Sequence, residues 1–346
     1  MKEKIEHLLR SAFELKASDI HITVGIPPVM RINGDLRRYG TDTITPDEIE
    51  AMAKSIVPEN SWDLFKSKGE LDFSYGIAGI SRFRVNAYHQ RGCVSLAVRI
   101  VPTRIPTLEE LELPEILKRI AEKPQGLVLV TGPTGSGKST TLASLIQYMN
   151  TTMRKHIVTL EDPIEYLHKH GNSIIDQREI GLDTNNFANG LRAALRQDPD
   201  VILVGELRDL DTIQTAITAA ETGHLVLGTL HTSSAPATIN RILDVFPPGQ
   251  QAQIRIQLAS VLVSVISQRL FPTVDKKGRR NATEILINNA AVANLIRNEK
   301  IHQIISIMQT SRIHGMHTLE MDIKELVQRG IISKEIAEPY LLEKMV

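Results

Sequence analysis

The chain has 346 residues, of which 42% are hydrophobic, and its formal net charge at pH 7 is +0. This length favours two or three domains with substantial hydrophobic cores. The balanced charge and an aromatic content of only 4% disfavour a nucleic-acid-binding protein, which uses basic surfaces and stacking side chains. Cys93 is the only cysteine, which excludes an intrachain disulfide and a four-cysteine zinc site and favours a reducing compartment.

The sequence contains no pattern typical of export or membrane insertion. The amino-terminal segment is charged throughout, unlike a signal peptide. No apolar run approaches the roughly 20 residues that a membrane-spanning helix needs. We therefore expect a cytoplasmic protein that reaches a membrane only through its partners.

The first hundred residues predict a small α+β domain. Apolar residues at helical spacing predict a helix over 3–16, and Thr45-Pro46-Asp47-Glu48 is typical of a helix start. Asn33-Gly34 predicts a type I′ turn between two strands. The strands predicted here are 19–24, 29–32, 35–39, 71–75, 81–90 and 94–101. We expect one domain over 1–101, followed by a proline-bearing linker over 102–114.

From residue 115 to residue 346, apolar strands alternate with helices, which predicts an α/β domain with a mostly parallel sheet. The predicted strands are 127–131, 156–160, 201–204 and 225–229. The predicted helices lie near 138–150, 186–197, 210–222 and 235–245. After Pro247-Pro248 the pattern predicts a mainly helical part, including helices over 250–270 and 291–297.

The most specific motif lies between the strand 127–131 and the helix that follows it. It matches G-x-x-x-x-G-K-[ST] at every fixed position, and with the next threonine it reads Gly132-Pro133-Thr134-Gly135-Ser136-Gly137-Lys138-Ser139-Thr140. Glycines let backbone N–H groups surround a phosphate, and the amino terminus of a helix attracts the same anion. Lys138 is expected to reach the β- and γ-phosphates of a nucleotide, and the Ser139 hydroxyl to bind Mg²⁺.

Two later strands end in carboxylates, namely Glu161-Asp162 after 156–160 and Glu206 after 201–204. Ligands of open α/β sheets bind outside the carboxyl ends of the strands. We therefore expect Glu161 to meet Mg²⁺ or a water, although a solvated strand end is the alternative. Glu206 is expected to orient or deprotonate the attacking water.

Histidines flank the strand 225–229. The odd separation of His224 and His231 places them on opposite faces of a continuous strand, so joint metal binding is not expected. His231 is expected to sense the γ-phosphate, whereas His224 is expected to fix local structure or a subunit contact. Two other histidine pairs are expected at the surface: His168 with His170, and His314 with His317.

Four arginines lie on or beside the predicted strands of the first domain: Arg82, Arg84, Arg91 and Arg99. Arg82 and Arg84 share a face because they are two residues apart. An arginine supplied by a neighbouring subunit can offset charge in phosphoryl transfer. The alternative is a solvated edge strand.

Four segments in this order resemble the secretion-type ATPases that power type II secretion and type IV pili: GPTGSGKSTT, TLEDPIEY, RQDPDVILVGELRD and AAETGHLVLGTLHT. Within that superfamily the chain, from about residue 3 to about residue 340, is similar to the pilus retraction ATPases. The resemblance implies a PAS-like amino-terminal domain and a RecA-like ATPase domain with a helical carboxy-terminal part. It also implies a homohexamer that uses ATP and Mg²⁺ to retract pili in twitching motility, docked at the inner membrane through a platform protein.

The resemblance assigns roles to residues of this chain. It places Lys138 and Ser139 on the nucleotide and Mg²⁺, Glu161 in an acidic box, and Glu206 as the catalytic acid of Walker B. It places His224 and His231 in a histidine box. It also matches the four arginines to the amino-terminal arginines that the family uses as arginine fingers. One departure concerns the helical A-I-R-N-L-I-R-E motif of retraction ATPases, where this chain has Ala293 and Asn298 for the first arginine and the glutamate. That motif is tied to retraction and not to hydrolysis.

Other functions on the same fold are alternatives. A pilus-assembly or secretion ATPase usually carries an extra amino-terminal domain and often a tetracysteine site, so the length of 346 residues and the single cysteine favour retraction over assembly. A nucleic-acid translocase is disfavoured by the balanced charge and few aromatics, and a GTPase by the absence of N-K-x-D. A non-hydrolysing scaffold is disfavoured because Lys138, Ser139 and Glu206 are all present.

Overall fold

The computed structural model describes residues 1–342 and divides the chain into two compact units, Met1–Arg104 and Ile105–Val346. The last four residues of the predicted ATPase domain, 343–346, lie outside the described residues. The boundaries 1–101, 102–114 and 115–346 stay a prediction. Within the predicted linker, the side chains of Leu108 and Leu113 are buried in a core of the second unit.

The first unit is a six-stranded antiparallel sheet with the order β3-β2-β1-β6-β5-β4. The strands are Asp19–Ile22 (β1), Val29–Ile32 (β2), Asp35–Arg38 (β3), Glu70–Ile77 (β4), Ser81–Gln90 (β5) and Cys93–Ile100 (β6). Helices Lys2–Glu14 (α1), Pro46–Ile56 (α2) and Trp62–Lys68 (α3) contribute apolar side chains to the same core.

Local signals account for several elements of the first unit. In α1, the buried Ile5 and Leu9 lie one turn apart and face the core. Helix α2 begins with a capping box in which the Thr45 hydroxyl accepts a hydrogen bond from the backbone of Glu48. Asn33 and Gly34 have φ values of +51° and +90°, as a type I′ turn requires. The predicted hairpin turn is therefore confirmed.

The second unit is built on a seven-stranded sheet with the order β13-β12-β7-β11-β10-β8-β9, which is parallel except for β13. The strands are Gly126–Thr131 (β7), His156–Glu161 (β8), Ile174–Glu179 (β9), Val201–Val204 (β10), Leu225–Leu230 (β11), Leu262–Pro272 (β12) and Arg279–Ile287 (β13). Together with the first unit, this sheet confirms the predicted α/β class with an amino-terminal α+β part.

Helices separate most of these strands and then dominate the carboxy-terminal part. They are Ile116–Ala121 (α4), Lys138–Thr152 (α5), Phe187–Ala194 (α6), Leu210–Glu221 (α7), Ala235–Asp244 (α8), Pro248–Val261 (α9), Ala290–Arg297 (α10), Ile304–Thr310 (α11), Leu319–Gln328 (α12) and Lys334–Leu342 (α13). Among residues 1–342, no helix combines the length and the apolar composition that crossing a bilayer requires.

The helix predicted over 250–270 is wrong in its second half. Helix α9 ends at Val261, and β12 begins at Leu262 and pairs with β7 on one side and β13 on the other. A short apolar run rich in valine and isoleucine suits a buried strand as well as a buried helix. β-Branched side chains favour the strand, and pairing on both sides decides the outcome. The two edge strands of this sheet, β9 and β13, were not predicted either.

The sheet brings the ends of its central strands to one edge. Strand β11 lies between β7 and β10, and β8 follows β10. Because all four run parallel, the loops that follow them lie side by side. The loop after β7, Glu161 at the end of β8, Glu206 after β10 and His231 after β11 therefore come to the same edge.

Candidate active site

A cavity of about 480 Å³ opens at this edge of the sheet. Its lining includes the loop and helix start 134–140, together with Glu161, Glu206 and His231. Gly132 and Pro133, the first two residues of the loop, are not among the residues that line the cavity. The structure thus brings together candidates from four separate segments of the sequence.

The loop after β7 is packed so closely that its first glycine has no room for a side chain. Gly132 has a φ of +145°. A Cβ atom there would lie 2.4 Å from the carbonyl oxygen of Gln268 and 2.6 Å from Oγ of Ser136. The Gln268 side chain is 1% exposed, and its Nε2 donates a 2.8 Å hydrogen bond to the Ser136 carbonyl. A residue of β12 therefore holds the loop in shape.

Replacing Gly132 with alanine is expected to destabilise the second unit by about 2–5 kcal/mol, because it combines a disfavoured φ with steric overlap. This corresponds to a fall of roughly 5–15 °C in the midpoint of thermal unfolding, measurable by calorimetry. The matched control is Gly181→Ala, since Gly181 also has a positive φ (+86°) but no atom within 4 Å of an added Cβ. Equal shifts for the two variants would contradict the packing explanation.

Lys138, the first residue of α5, places its ammonium group against the loop. Its Nζ donates to the carbonyl oxygens of Gly132 at 2.8 Å and Pro133 at 3.1 Å, and it lies 3.5 Å from Nδ1 of His231. Burial lowers the pKa of Lys138, and the carboxylates of Glu206 and Glu165 offset only part of this effect. A cation therefore stands where the loop and the amino terminus of α5 favour an anion.

Glu161 is held in a fixed orientation at the end of β8. Its Oε1 accepts hydrogen bonds from Oγ1 of Thr159 at 2.6 Å and Nε2 of Gln177 at 3.1 Å. Burial raises the pKa of Glu161, and these hydrogen bonds counteract part of the rise. The carboxylate and the Ser139 hydroxyl both line the cavity, and they are oxygen donors of the kind that Mg²⁺ prefers.

No three His, Cys, Asp or Glu side chains cluster as metal ligands within residues 1–342. Mg²⁺ is commonly held by one or two protein oxygens, with substrate phosphates and waters completing its shell. Ser139 and Glu161 fit a site of that kind. They do not fit a metal centre in which the protein alone supplies every ligand.

Glu206 is 17% exposed and has a cationic or hydrogen-bonding partner on each carboxylate oxygen. Its Oε1 lies 3.3 Å from Nε2 of His231, and its Oε2 lies 2.6 Å from a guanidinium nitrogen of Arg208. Burial raises the pKa of Glu206, but Arg208 and His231 outweigh burial, so the pKa lies below its ordinary value. The side chain is therefore an ionised carboxylate at neutral pH, able to accept a proton.

The two histidines that flank β11 lie in different places. His231 touches both Lys138 and Glu206, so it connects the loop with the carboxylate. His224 precedes β11, and its Nδ1 lies 3.0 Å from the Ala219 carbonyl. A strand of six residues is about 20 Å long, so His224 is remote from the cavity.

The prediction that the other four histidines lie at the surface is wrong for two of them. His168 is half-buried in the cavity wall, and burial lowers its pKa to about 4. His317 is half-buried, with Nε2 2.9 Å from the Thr283 hydroxyl. Both belong to irregular segments that fold back onto strands, which sequence periodicity does not reveal. His170 and His314 are exposed as predicted.

The structure groups three of the four candidate arginines of the first unit. Arg84 on β5 lies opposite Arg99 on β6. Arg82 lies on the same face as Arg84, because the two are separated by one residue along the strand. Arg99 forms a 3.0 Å ion pair with Asp19. Arg91 lies in the turn between the two strands, with a φ of +49°. It is therefore at the end of β5 opposite to Arg82.

Several residues of the site were missed by sequence reasoning. Leu270 and Arg279 line the cavity, and Gln268 holds the loop. Gln268 and Leu270 lie on β12, which the erroneous helix prediction over 250–270 concealed, and Arg279 lies on β13, a strand that was not predicted. Arg208 contacts Glu206 and follows it by two residues in the sequence. This short spacing is the one feature of the sequence that indicates the contact.

A sequence model of the family described as type II/IV secretion system protein matches residues 1–340. The chain belongs to this family. Among relatives within the family, the type IV pilus retractation ATPase PilT of Pseudomonas aeruginosa is 47% identical over 333 residues, covering 96% of each protein. The twitching motility protein of Neisseria gonorrhoeae is 47% identical over 329 residues, covering 93% of this chain and 88% of that protein.

A crystal structure of the pilus retraction motor PilT with bound ADP superimposes with a TM-score of 0.88 at 48% identity. The match covers 96% of this chain and 95% of that chain. The predicted resemblance to pilus retraction ATPases is therefore confirmed, and this member of the type II/IV secretion system family is an ATPase.

Proposed function

We propose that this chain is the ATP-hydrolysing motor that retracts type IV pili. The observation that carries the proposal is the cavity in which the phosphate-binding loop and Glu206 face each other. Relatives of almost the same length, named for pilus retraction and twitching motility, supply the process that hydrolysis drives.

In this proposal the backbone of the loop 132–140 holds the phosphates, as glycine loops at helix starts do. The Lys138 ammonium transfers its hydrogen bonds from the loop carbonyls to the β- and γ-phosphates. Ser139 and Glu161 would hold Mg²⁺, which neutralises phosphate charge when bound. Leu270 and Arg279, which also line the cavity, are proposed to meet the remainder of the nucleotide.

Glu206 is the proposed base of the hydrolysis. A water oxygen attacks the γ-phosphorus, the bond to the β–γ bridging oxygen breaks, and Glu206 accepts the proton of the water. His231 is the proposed sensor of the γ-phosphate because it contacts both Lys138 and Glu206. His224, outside the cavity, is proposed to fix local structure or a subunit contact. The products are ADP and inorganic phosphate.

The active site is proposed to be completed by an arginine of a neighbouring subunit in a homohexamer. The candidates on the open face of the first unit are Arg82, Arg84 and Arg99, and Arg91 is a fourth candidate on a separate turn. Of the two exposed arginines that face each other across β5 and β6, Arg84 forms no ion pair with any residue in the described range 1–342, whereas Arg99 pairs with Asp19. We therefore rank it first.

The partners in this proposal are an inner-membrane platform protein and other pilus machinery, which hold the motor at the cytoplasmic face of the membrane. No direct contact with nucleic acid is part of the proposal. Ala293 and Asn298, the departures from the retraction motif, lie on or next to α10. Ala293 is buried in the core of the second unit, and Asn298 bonds back to Asn294.

Deleting the gene in the source organism tests the direction of the motor. Loss of a retraction motor is expected to leave cells hyperpiliated and without twitching motility, scored by electron microscopy and surface motility. The wild-type gene is expected to restore both properties, and a gene carrying Glu206→Gln is expected to restore neither. Bald cells would contradict retraction and favour the assembly alternative. Stimulation of the purified ATPase by DNA would favour the translocase alternative.

A further inference from the structure

The backbone around Glu206 is anchored on both sides. The Gly205 backbone nitrogen donates to the Leu160 carbonyl at 2.8 Å, and the Leu207 nitrogen donates to the Thr229 carbonyl at 3.0 Å. The Thr229 hydroxyl also donates to the Gly205 carbonyl. Leu207 is itself buried. With the main chain fixed in this way, the remaining freedom of Glu206 lies in its side-chain torsions.

Two side chains restrict those torsions, one at each oxygen of the carboxylate. His231 meets Oε1 and Arg208 meets Oε2. The shorter contact is the one with Arg208, at 2.6 Å. An ion pair with a short contact to a mostly buried carboxylate restricts its rotation more than an exposed pair does.

Arg208 differs from Glu206 in its exposure. Its side chain is 69% exposed, compared with 17% for Glu206, and it also lines the cavity. The other acid that acts on its charge is Asp162, in the loop after β8. Removing the Arg208 side chain therefore deletes a contact of Glu206 without opening a hole in the core.

We infer that Arg208 is a positioning residue for hydrolysis, which holds the Glu206 carboxylate in the orientation that faces the nucleotide cavity. This inference rests on the proposed role of Glu206 as the base. In this inference Arg208 acts on the reaction through its contact with the Glu206 carboxylate. Its loss therefore affects the chemical step more than nucleotide binding.

The test compares Arg208→Ala and Arg208→Lys in the purified full-length protein by steady-state ATP hydrolysis with Mg²⁺. A misplaced catalytic group costs about 10²-fold, so Arg208→Ala is expected to lower kcat by about 10–10²-fold. The KM for ATP is expected to change little, and Arg208→Lys to recover part of kcat. The matched control is Arg312→Ala, since Arg312 is similarly exposed but pairs with Glu325 on α12. This control is expected to keep normal turnover.

The pH profile supplies a second readout. The titratable and charged groups that face Glu206 are Arg208, His231 and Lys138. Removing the guanidinium raises the pKa of Glu206, because a neighbouring cation favours the ionised carboxylate. The acidic limb of the kcat profile is therefore expected to move to higher pH in Arg208→Ala.

A double-mutant cycle separates this inference from the function on which it rests. In the Glu206→Gln background, Arg208→Ala is expected to have no further effect on kcat. Normal turnover in Glu206→Gln alone would overturn the proposed base. If Glu206→Gln is inactive while Arg208→Ala keeps or exceeds normal kcat, or raises only KM, the positioning role is wrong and the proposed base stands.

Discussion

Replacing Arg84 with alanine is expected to lower ATP turnover by about 10³–10⁵-fold, the range known for loss of an arginine that stabilises phosphoryl transfer. The reason is that the guanidinium is exposed beside Arg99 on the open face of its sheet. It is therefore available to phosphate oxygens of a nucleotide bound to a neighbouring subunit. The variant is expected to bind nucleotide and to assemble, because the side chain is not buried. Steady-state hydrolysis by the assembled ring measures the effect.

A mixing experiment tests whether the arginine acts in a neighbouring subunit. Subunits carrying Lys138→Ala are combined with subunits carrying Arg84→Ala, each inactive alone. Mixed rings are expected to recover part of the activity, because some interfaces then join an intact phosphate loop to an intact arginine. No recovery in rings that demonstrably exchange subunits would contradict the assignment of Arg84. In that case the same mixing experiment is repeated with alanine variants of Arg82, Arg99 and Arg91.

The matched control for Arg84 is Arg37, an exposed arginine on the edge strand β3 of the same sheet. Arg37→Ala removes the same charge from the same unit but is expected to leave turnover unchanged. A comparable loss of ATP turnover in both variants would indicate a general electrostatic effect of the first unit. It would contradict a specific contact of Arg84 with the nucleotide of a neighbouring subunit.

Replacing Glu206 with glutamine is expected to lower hydrolysis by about 10²–10⁴-fold, the usual cost of losing a positioned acid–base group. Glutamine keeps the shape of the side chain but has no basic oxygen for the proton of the attacking water. Nucleotide binding is expected to persist because Lys138 and Ser139 are unchanged. Single-turnover hydrolysis and equilibrium nucleotide binding measure the two effects separately.

Glu221→Gln is the control for the loss of one negative charge. Glu221 lies on α7 of the same unit, exposed and hydrogen-bonded to Gln257, and its replacement is expected to leave hydrolysis unchanged. Loss of ATP binding in folded Glu206→Gln protein would contradict a catalytic role and assign Glu206 to ligand binding.

The sequence predicts those parts of the fold in which local chemistry determines the outcome. Asn33-Gly34 predicts its turn because both residues tolerate a positive φ. The phosphate loop is predictable because its glycines, Lys138 and Ser139 stand between an apolar strand and a helix. The order of the parallel strands then brings Glu161 and Glu206 to the same edge, as the strand-end pattern predicts.

Other parts depend on contacts between distant segments. Residues 262–270 suit a buried helix or a buried strand, and only pairing with β7 and β13 decides between the two. Gln268 and Leu270 therefore could not be assigned to the site, and neither could Arg279, which lies on the unpredicted strand β13. The partnership of Arg208 with Glu206 depends on side-chain directions in a loop, which spacing does not determine.

The hydrogen bond from Gln268 to the phosphate loop has a mechanical consequence. The strand that carries Gln268 continues to Phe271, which shares a small apolar core with Ile323 of α12 and Ala337 of α13. The loop cannot change shape without breaking that hydrogen bond or pulling on the strand. The nucleotide site, this strand and the terminal helices are therefore joined by an unbroken series of contacts, in which Gln268 connects the phosphate loop to the carboxy-terminal part of the unit.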